Sequence, residues 1–127
     1  MKQKLIVEKN FNLALENHKK NNLQNAERIY KKILRINPNH FQSICFLGTL
    51  SIQTKNFERA KQLFHKAIEM KPNNANVYNN LGTVFKELGE FQNAISCYQK
   101  AIEIHPNHAG AHNNLGLIFR GLNDFEN

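Results

Sequence analysis

The sequence predicts an all-α chain of seven helices without a strand, and a long-range recurrence together with a short-range one carries that prediction. Tyr78, Leu81, Gly82, Phe85, Ala94, Tyr98, Ala101 and Pro106 stand 34 residues after Ile44, Leu47, Gly48, Ser51, Ala60, Phe64, Ala67 and Pro72. Asn10, Leu13, Ala14, Asn17, Ala26, Tyr30, Ile33 and Pro38 precede those by a further period, and His112, Leu115, Gly116 and Phe119 follow one period later. Inside each period the apolar residues are spaced by three and four, which puts them on one face of a helix. The proline near the end of each period forces the residue before it out of the helical region and stops the helix there.

Taken in order, residues 7 to 20 form the first helix, with Phe11, Leu13, Ala14 and Leu15 as its apolar part. Asn10, Asn17 and Lys20 stand where later periods carry larger apolar residues, so one side of this helix is expected to meet water. Asn21-Asn22 make the turn, asparagine being tolerant of the left-handed conformation that closes a helix. The second helix, 23 to 36, buries Leu23, Ala26, Tyr30, Ile33, Leu34 and Ile36 and turns Arg28, Lys31, Lys32 and Arg35 outward. Asn39 after Pro38 is expected to cap the next helix, and Asn73 and Asn107 repeat the device. Helices follow at 41 to 54, 57 to 70, 75 to 88, 91 to 104 and 109 to 122. Gly48, Gly82 and Gly116 fall inside helices, where each costs about 1 kcal/mol against alanine. Close approach of the following helix, with Ala60 or Ala94 facing the glycine, offsets that cost. Phe64 and Tyr98 then fill the gap further along, and Phe57, Phe91 and Phe125 open successive second helices.

Lysine and arginine exceed aspartate and glutamate by seven, but unevenly. Residues 1 to 40 hold nine basic and three acidic side chains, whereas 73 to 127 hold three and five. Cys45 and Cys97 lie far apart, which argues against a disulfide framework or a thiolate metal site and suits a reducing cytoplasm. No apolar run approaches the length of a membrane span, and Leu5-Ile6-Val7 is too short for a signal-peptide core.

The 34-residue spacing and its residue pattern resemble the tetratricopeptide repeat, a helix-turn-helix unit of that length. The resemblance implies a right-handed α-solenoid, a single array over 1 to 127 with repeats at 7 to 40, 41 to 74 and 75 to 108 and a partial one at 109 to 127. It implies a noncatalytic scaffold that holds a protein or peptide in a groove lined by the first helices of successive repeats. Carried over position by position, the groove takes Asn12, Phe46, Thr49, Asn76, Asn79, Asn80, Thr83, Lys86, Asn113, Asn114 and Leu117. Asn12, Asn80 and Asn114 are equivalent, and a carboxamide both donates and accepts, so such a ladder can pair with an extended backbone whatever its side chains. Phe46 interrupts it. Co-chaperone members grip a chaperone's C-terminal carboxylate with lysine and arginine at set positions. Here those positions hold Phe11, Leu15, Phe46, Asn76 and Asn80, or Cys45, Thr49, Asn80, Gly110 and Asn114, so that clamp is absent.

The segments Asn79 to Gly82 and Asn113 to Gly116, with Ala26 to Leu34, are similar to arrays preceding the catalytic region of O-linked N-acetylglucosamine transferases and bacterial repeat-bearing sulfotransferases. That likeness implies a second reading, the substrate-selecting N-terminal region of a larger enzyme. A third reading is nucleic-acid binding through Arg28, Lys31, Lys32 and Arg35, set against the absence of interleaved aromatic side chains. No phosphate loop, nucleophile motif or carboxylate pair points to catalysis within the chain. His108 and His112 are one helical turn apart, but His112 takes the core place of Tyr78 while His105 and His108 flank Pro106, so neither a metal nor a cofactor is expected. The helix of 109 to 122 lacks its partner helix, which is expected to leave Leu115, Gly116, Phe119 and Leu122 bare and to favour self-association through Leu115, Phe119 and Leu122. The ending at Asn127, just after Phe125, suggests an N-terminal piece of a longer protein.

Overall fold

The computed structural model describes the backbone of residues 1 to 126 and the side chains of residues 1 to 123. Its helices are α1 (Lys2–Lys19), α2 (Leu23–Ile36), α3 (Phe41–Gln53), α4 (Phe57–Met70), α5 (Ala75–Glu87), α6 (Phe91–Ile104) and α7 (Ala109–Glu126), and no strand occurs among the described residues. The chain divides into two compact units, Met1–Leu63 and Phe64–Asn127, and the division falls within α4. Phe125 lies outside the residues whose side chains are described.

The repeat is written into the turns. Asn21, Lys55 and Gly89 adopt positive φ of 64°, 62° and 77°. Each lets the next amide reach back to a carbonyl five residues earlier: Asn22 to Asn17 at 2.8 Å, Asn56 to Ser51 at 2.7 Å and Glu90 to Phe85 at 2.8 Å. This closure satisfies carbonyls that a helix end otherwise leaves open. Asn21 and Gly89 suit the conformation, whereas Lys55 holds it at a cost of about 1 kcal/mol or more. The caps recur as well, one residue later than the sequence suggests. His40 Nδ1 accepts the Ser43 amide at 3.2 Å, Asn74 Oδ1 accepts that of Val77 at 3.1 Å, and His108 Nδ1 accepts that of Ala111 at 3.0 Å. Asn39, expected as a cap, instead donates its own amide to Asn37 Oδ1 at 3.1 Å. The reason is geometric: α3, α5 and α7 begin at Phe41, Ala75 and Ala109, and the capping side chain belongs to the residue immediately before.

In the first unit Val7, Phe11 and Ala14 of α1 meet Ala26, Ile29, Tyr30 and Ile33 of α2 and Leu47 and Leu50 of α3. The 7, 11, 14 spacing fixes which side of α1 faces in, and Leu13, expected to be buried, is 47% exposed in consequence. α1 also starts at Lys2, earlier than the apolar pattern indicates, because nothing in Lys2 to Ile6 breaks a helix and an exposed extension needs no buried face. Ser51, fully buried where the next period has Phe85, opens room for a polar network. Its hydroxyl donates to Leu47 O at 2.7 Å and accepts Arg59 Nε–H at 2.8 Å, and the Arg59 guanidinium pairs with Glu27 at 2.5 Å. Arg59 thereby ties α2, α3 and α4 together with hydrogen bonds to charged groups, each worth about 1.5 to 3 kcal/mol.

In the second unit Ala94, Ile95 and Tyr98 of α6 meet Ile118 of α7, with Phe85, Leu115 and Leu122 packed against them. Gly82 is buried on α5, and a Cβ built there would stand 2.6 Å from Tyr98 Cε1 and 2.8 Å from Cδ1. The ring of Tyr98 therefore fills the space beside the glycine. On α7 the expected bare strip is divided. Leu115 and Leu122 are half-buried against α6, while Gly116 and Phe119 are exposed, Phe119 by 44%. Ala111 and Ile118, at 0% and 5% exposed, are the buried residues of α7 among those described.

Two measurements follow from this packing. Gly82→Ala gains about 1 kcal/mol of helix propensity but forces a methyl into the Tyr98 ring, an overpacking that costs about 1 to 3 kcal/mol. Thermal unfolding should show it destabilised or at best neutral, whereas Gly116→Ala, whose added Cβ meets nothing within 4 Å, should be stabilised. The second concerns His40, whose burial lowers its pKa from the ordinary histidine value and whose Nδ1 must stay unprotonated to accept the Ser43 amide. A depressed folded-state value means that the unfolded chain binds protons more readily, so this stability is present above about pH 6.5 and is lost as pH falls below it. His40→Asn keeps a neutral cap, as Asn74 does one period later, and its melting temperature should fall less than that of the parent between pH 7.5 and 5 in a parallel titration.

Candidate functional site

The first helices of the second unit assemble a polar face. Asn76, Asn79, Asn80, Thr83 and Lys86 recur at three and four residues along α5, and Asn113, Asn114 and Leu117 do so on α7. Asn114 Nδ2 donates to Asn79 Oδ1 at 3.0 Å, tying two carboxamides that lie 35 residues apart in the chain. Asn76 Oδ1 is 2.6 Å from His108 Nε2. Because His108 Nδ1 already accepts the Ala111 amide, the ring proton sits on Nε2 and is donated to Asn76. Thr83 donates to Asn79 O at 3.2 Å, which leaves its oxygen to accept from Tyr98 OH at 3.1 Å. Burial raises the Tyr98 pKa, so the phenol stays protonated and remains that donor.

Gly110 makes room for the arrangement. A Cβ there would lie 3.2 Å from His108 Cε1 and 3.3 Å from Asn79 Nδ2. The outcome is a row of amides in which Asn76, Asn79 and Asn114 are held by hydrogen bonds, Asn80 is half-buried without a side-chain hydrogen bond among the described residues, and Asn113 is exposed. Holding a donor or acceptor in place before a ligand arrives lowers the ordering cost of binding.

The corresponding residues of the first unit have another character. Phe46 is 38% exposed, stacked on Tyr30 with ring centroids 6.3 Å apart and planes at 14°, and meets Phe11 edge-on at 5.8 Å. His18 lies 6.2 Å from the same ring. His18 Nε2 donates to Gln53 Oε1 at 2.5 Å, so Nδ1 accepts from Tyr30 OH at 3.0 Å. Burial pushes the Tyr30 phenol up to about 12, which keeps it a donor. Asn12 is exposed, and Thr49 donates to Cys45 O at 3.2 Å. Here the face offers an aromatic platform in place of a carboxamide. The sequence pointed to the asparagines and to Phe46 but not to the His18 to Gln53 bond or the Asn79 to Asn114 bond.

Other chemistries find little footing among the described residues. His105 and His108 have ring centroids 5.8 Å apart, but His112 is exposed, outside the core place expected for it, with Nε2 2.7 Å from Pro106 O. No group of three metal donors occurs there. Cys97 is buried and its thiol is pushed up to about 11 by desolvation, far from a reactive thiolate. Arg28, Lys31, Lys32 and Arg35 are exposed on α2, and Tyr30, the aromatic residue among them, is fully buried and offers no ring for stacking. No described helix is long and apolar enough to cross a membrane.

Family models described as tetratricopeptide repeat match residues 18–83, 75–108 and 97–127. No curated protein sequence matches the chain significantly. Among solved structures, an O-GlcNAc transferase mutant of Thermobaculum terrenum is similar with a TM-score of 0.88 and 24% identity, over 93% of this chain and 23% of that one. The chain thus spans about a quarter of that enzyme's length. A MamA fragment from Desulfovibrio magneticus RS-1 matches with a TM-score of 0.87 and 22% identity, over 94% of this chain and 68% of that one. The first tetratricopeptide domain of Spaghetti (RPAP3), bound to an HSP90 peptide, matches with a TM-score of 0.86 and 19% identity, over 91% and 92%.

Proposed function

The chain belongs to the tetratricopeptide repeat family, and from that premise we propose that it is a noncatalytic scaffold that binds an extended protein segment along the first-helix face of α5 and α7. The observation that carries the reading is the fixed carboxamide row, with Asn79 and Asn114 joined across helices and Asn80 and Asn113 left to meet a partner. An amide offers both a donor and an acceptor to a peptide backbone, which has the same two groups at every residue. A row of them favours extended segments and is indifferent to most side chains. The Spaghetti domain, which holds an HSP90 peptide, is a fold neighbour in keeping with this use, although the charged clamp positions are uncharged here.

The likeness to part of an O-GlcNAc transferase supports a narrower form of the same proposal, in which the array selects protein substrates for a catalytic region elsewhere. Both forms place partner contact on the same face, in a reducing compartment such as the cytoplasm that suits the two free thiols.

A peptide selected from a random display library provides the ligand for the test. Asn80→Ala removes an amide with no internal bond, so it should weaken binding about threefold to tenfold, the worth of one net hydrogen bond, and leave the melting temperature unchanged. Asn114→Ala also breaks the bond to Asn79 and should lose affinity together with about 0.5 to 1.5 kcal/mol of stability. Unaltered affinity in both variants by calorimetry would remove this face from the site.

A further inference from the structure

The polar face of the second unit gives way to an apolar pocket at one end. Lys86 at the close of α5, Phe91 at the start of α6, and Leu117, Ile118, Gly121 and Leu122 on α7 surround a cavity of about 270 Å³. Ile118 is 5% exposed, whereas Phe91 and Leu117 keep 43% and 53% of their surface in water. Gly121 keeps the wall low, since a Cβ added there would meet nothing within 4 Å. Among the described residues Lys86 supplies the one charge in this lining; it is half-buried and forms no ion pair with any of them. The pocket is smaller than the roughly 300 to 1,000 Å³ of most small-molecule sites, and its size suits a single side chain.

Lys86 and Leu117 belong both to this pocket and to the face that carries the carboxamides, so a segment lying along that face reaches the cavity. In an extended segment alternate side chains point the same way, and two residues span about 6.6 Å. A side chain two positions from the one in the pocket therefore projects on the same side, within reach of a lysine stem. The Lys86 side chain is half-buried, and a carboxylate that meets its ammonium beside the apolar lining is attracted more strongly than in open water.

We propose that this pocket anchors the partner segment: it takes one leucine- or phenylalanine-sized side chain, and an aspartate or glutamate two positions away pairs with Lys86. The inference rests on the reading that the α5 and α7 face binds extended segments, and it adds the sequence preference that the carboxamide row lacks. Burial of Phe91 and Leu117 beneath the incoming side chain supplies affinity, and Lys86 supplies discrimination.

Capped, neutral-ended peptides of Gly and Ser carrying Phe-Ser-Glu, or the reverse order Glu-Ser-Phe, serve as probes, titrated to millimolar concentration into the full isotope-labelled chain and followed by amide chemical shifts. The expected result is that one order shifts Lys86, Leu117 and Gly121, that Phe→Ala in the peptide abolishes those shifts, and that Glu→Gln weakens binding about threefold to tenfold. In the Lys86→Gln protein the Glu and Gln peptides should bind alike, and the spectrum itself reports that the variant is folded. Shifts confined to Asn80 and Asn114 and unaffected by Phe→Ala would overturn the pocket and leave the carboxamide face standing. Continued preference for Glu in Lys86→Gln would overturn the assignment to Lys86. No shift on α5 or α7 with either order would sink the pocket and the face together.

Discussion

The contact between the Tyr98 ring and the bare backbone of Gly82 sets how closely α5 and α6 approach, and much else in the second unit depends on that distance. A glycine inside a helix is a liability of about 1 kcal/mol, recovered only where a neighbour fills the space a side chain would take. Tyr98 fills it, and its hydroxyl continues to Thr83, which is itself bonded to Asn79 O. The same residue that closes the core thus reaches the face where Asn79 holds Asn114. Packing and site are connected by a short chain of atoms: ring on backbone, phenol to threonine, asparagine to asparagine.

The first unit shows how the same plan tolerates departure. Tyr30 occupies the place of Tyr98, but its hydroxyl donates to His18, and Phe46 stacks on its ring where the second unit presents an asparagine. Ser51 in place of a phenylalanine admits Arg59 and Glu27 into a polar tie among three helices. Among the described residues no buried side-chain nitrogen or oxygen lacks a hydrogen-bond partner, so the polar substitutions are absorbed without an orphaned group. The two units share a scaffold and offer different surfaces, one aromatic and one amidic. A repeat fold can vary its binding face in this way because each unit buries its own core.

The scaffold was legible in the sequence because its determinants are local and repeat: Ala26, Tyr30 and Ile33 return as Ala60, Phe64 and Ala67 and again as Ala94, Tyr98 and Ala101, and all are buried. The turn at Asn21 was likewise readable from residue type. What escaped depended on partners far along the chain or on the phase of a helix. The caps fell one residue late because asparagine precedes each of them, and two of the three capping residues are histidines, which carry no cap signal in composition. Leu13 was misplaced because the core pattern of α1 runs through Val7, Phe11 and Ala14, a phase that the later repeats do not fix. The Asn79 to Asn114 bond and the Arg59 network join residues brought together only by packing, so neither is visible in residue spacing.

The account stands or falls on which surface meets the partner. A photoreactive side chain introduced in turn at Asn113, exposed on the first-helix face, and at Gln99, exposed on α6, can be irradiated with a bound library-selected peptide and the adducts read by mass spectrometry. The account predicts crosslinks from position 113 and none above background from position 99. Crosslinking from position 99 with position 113 silent would contradict it.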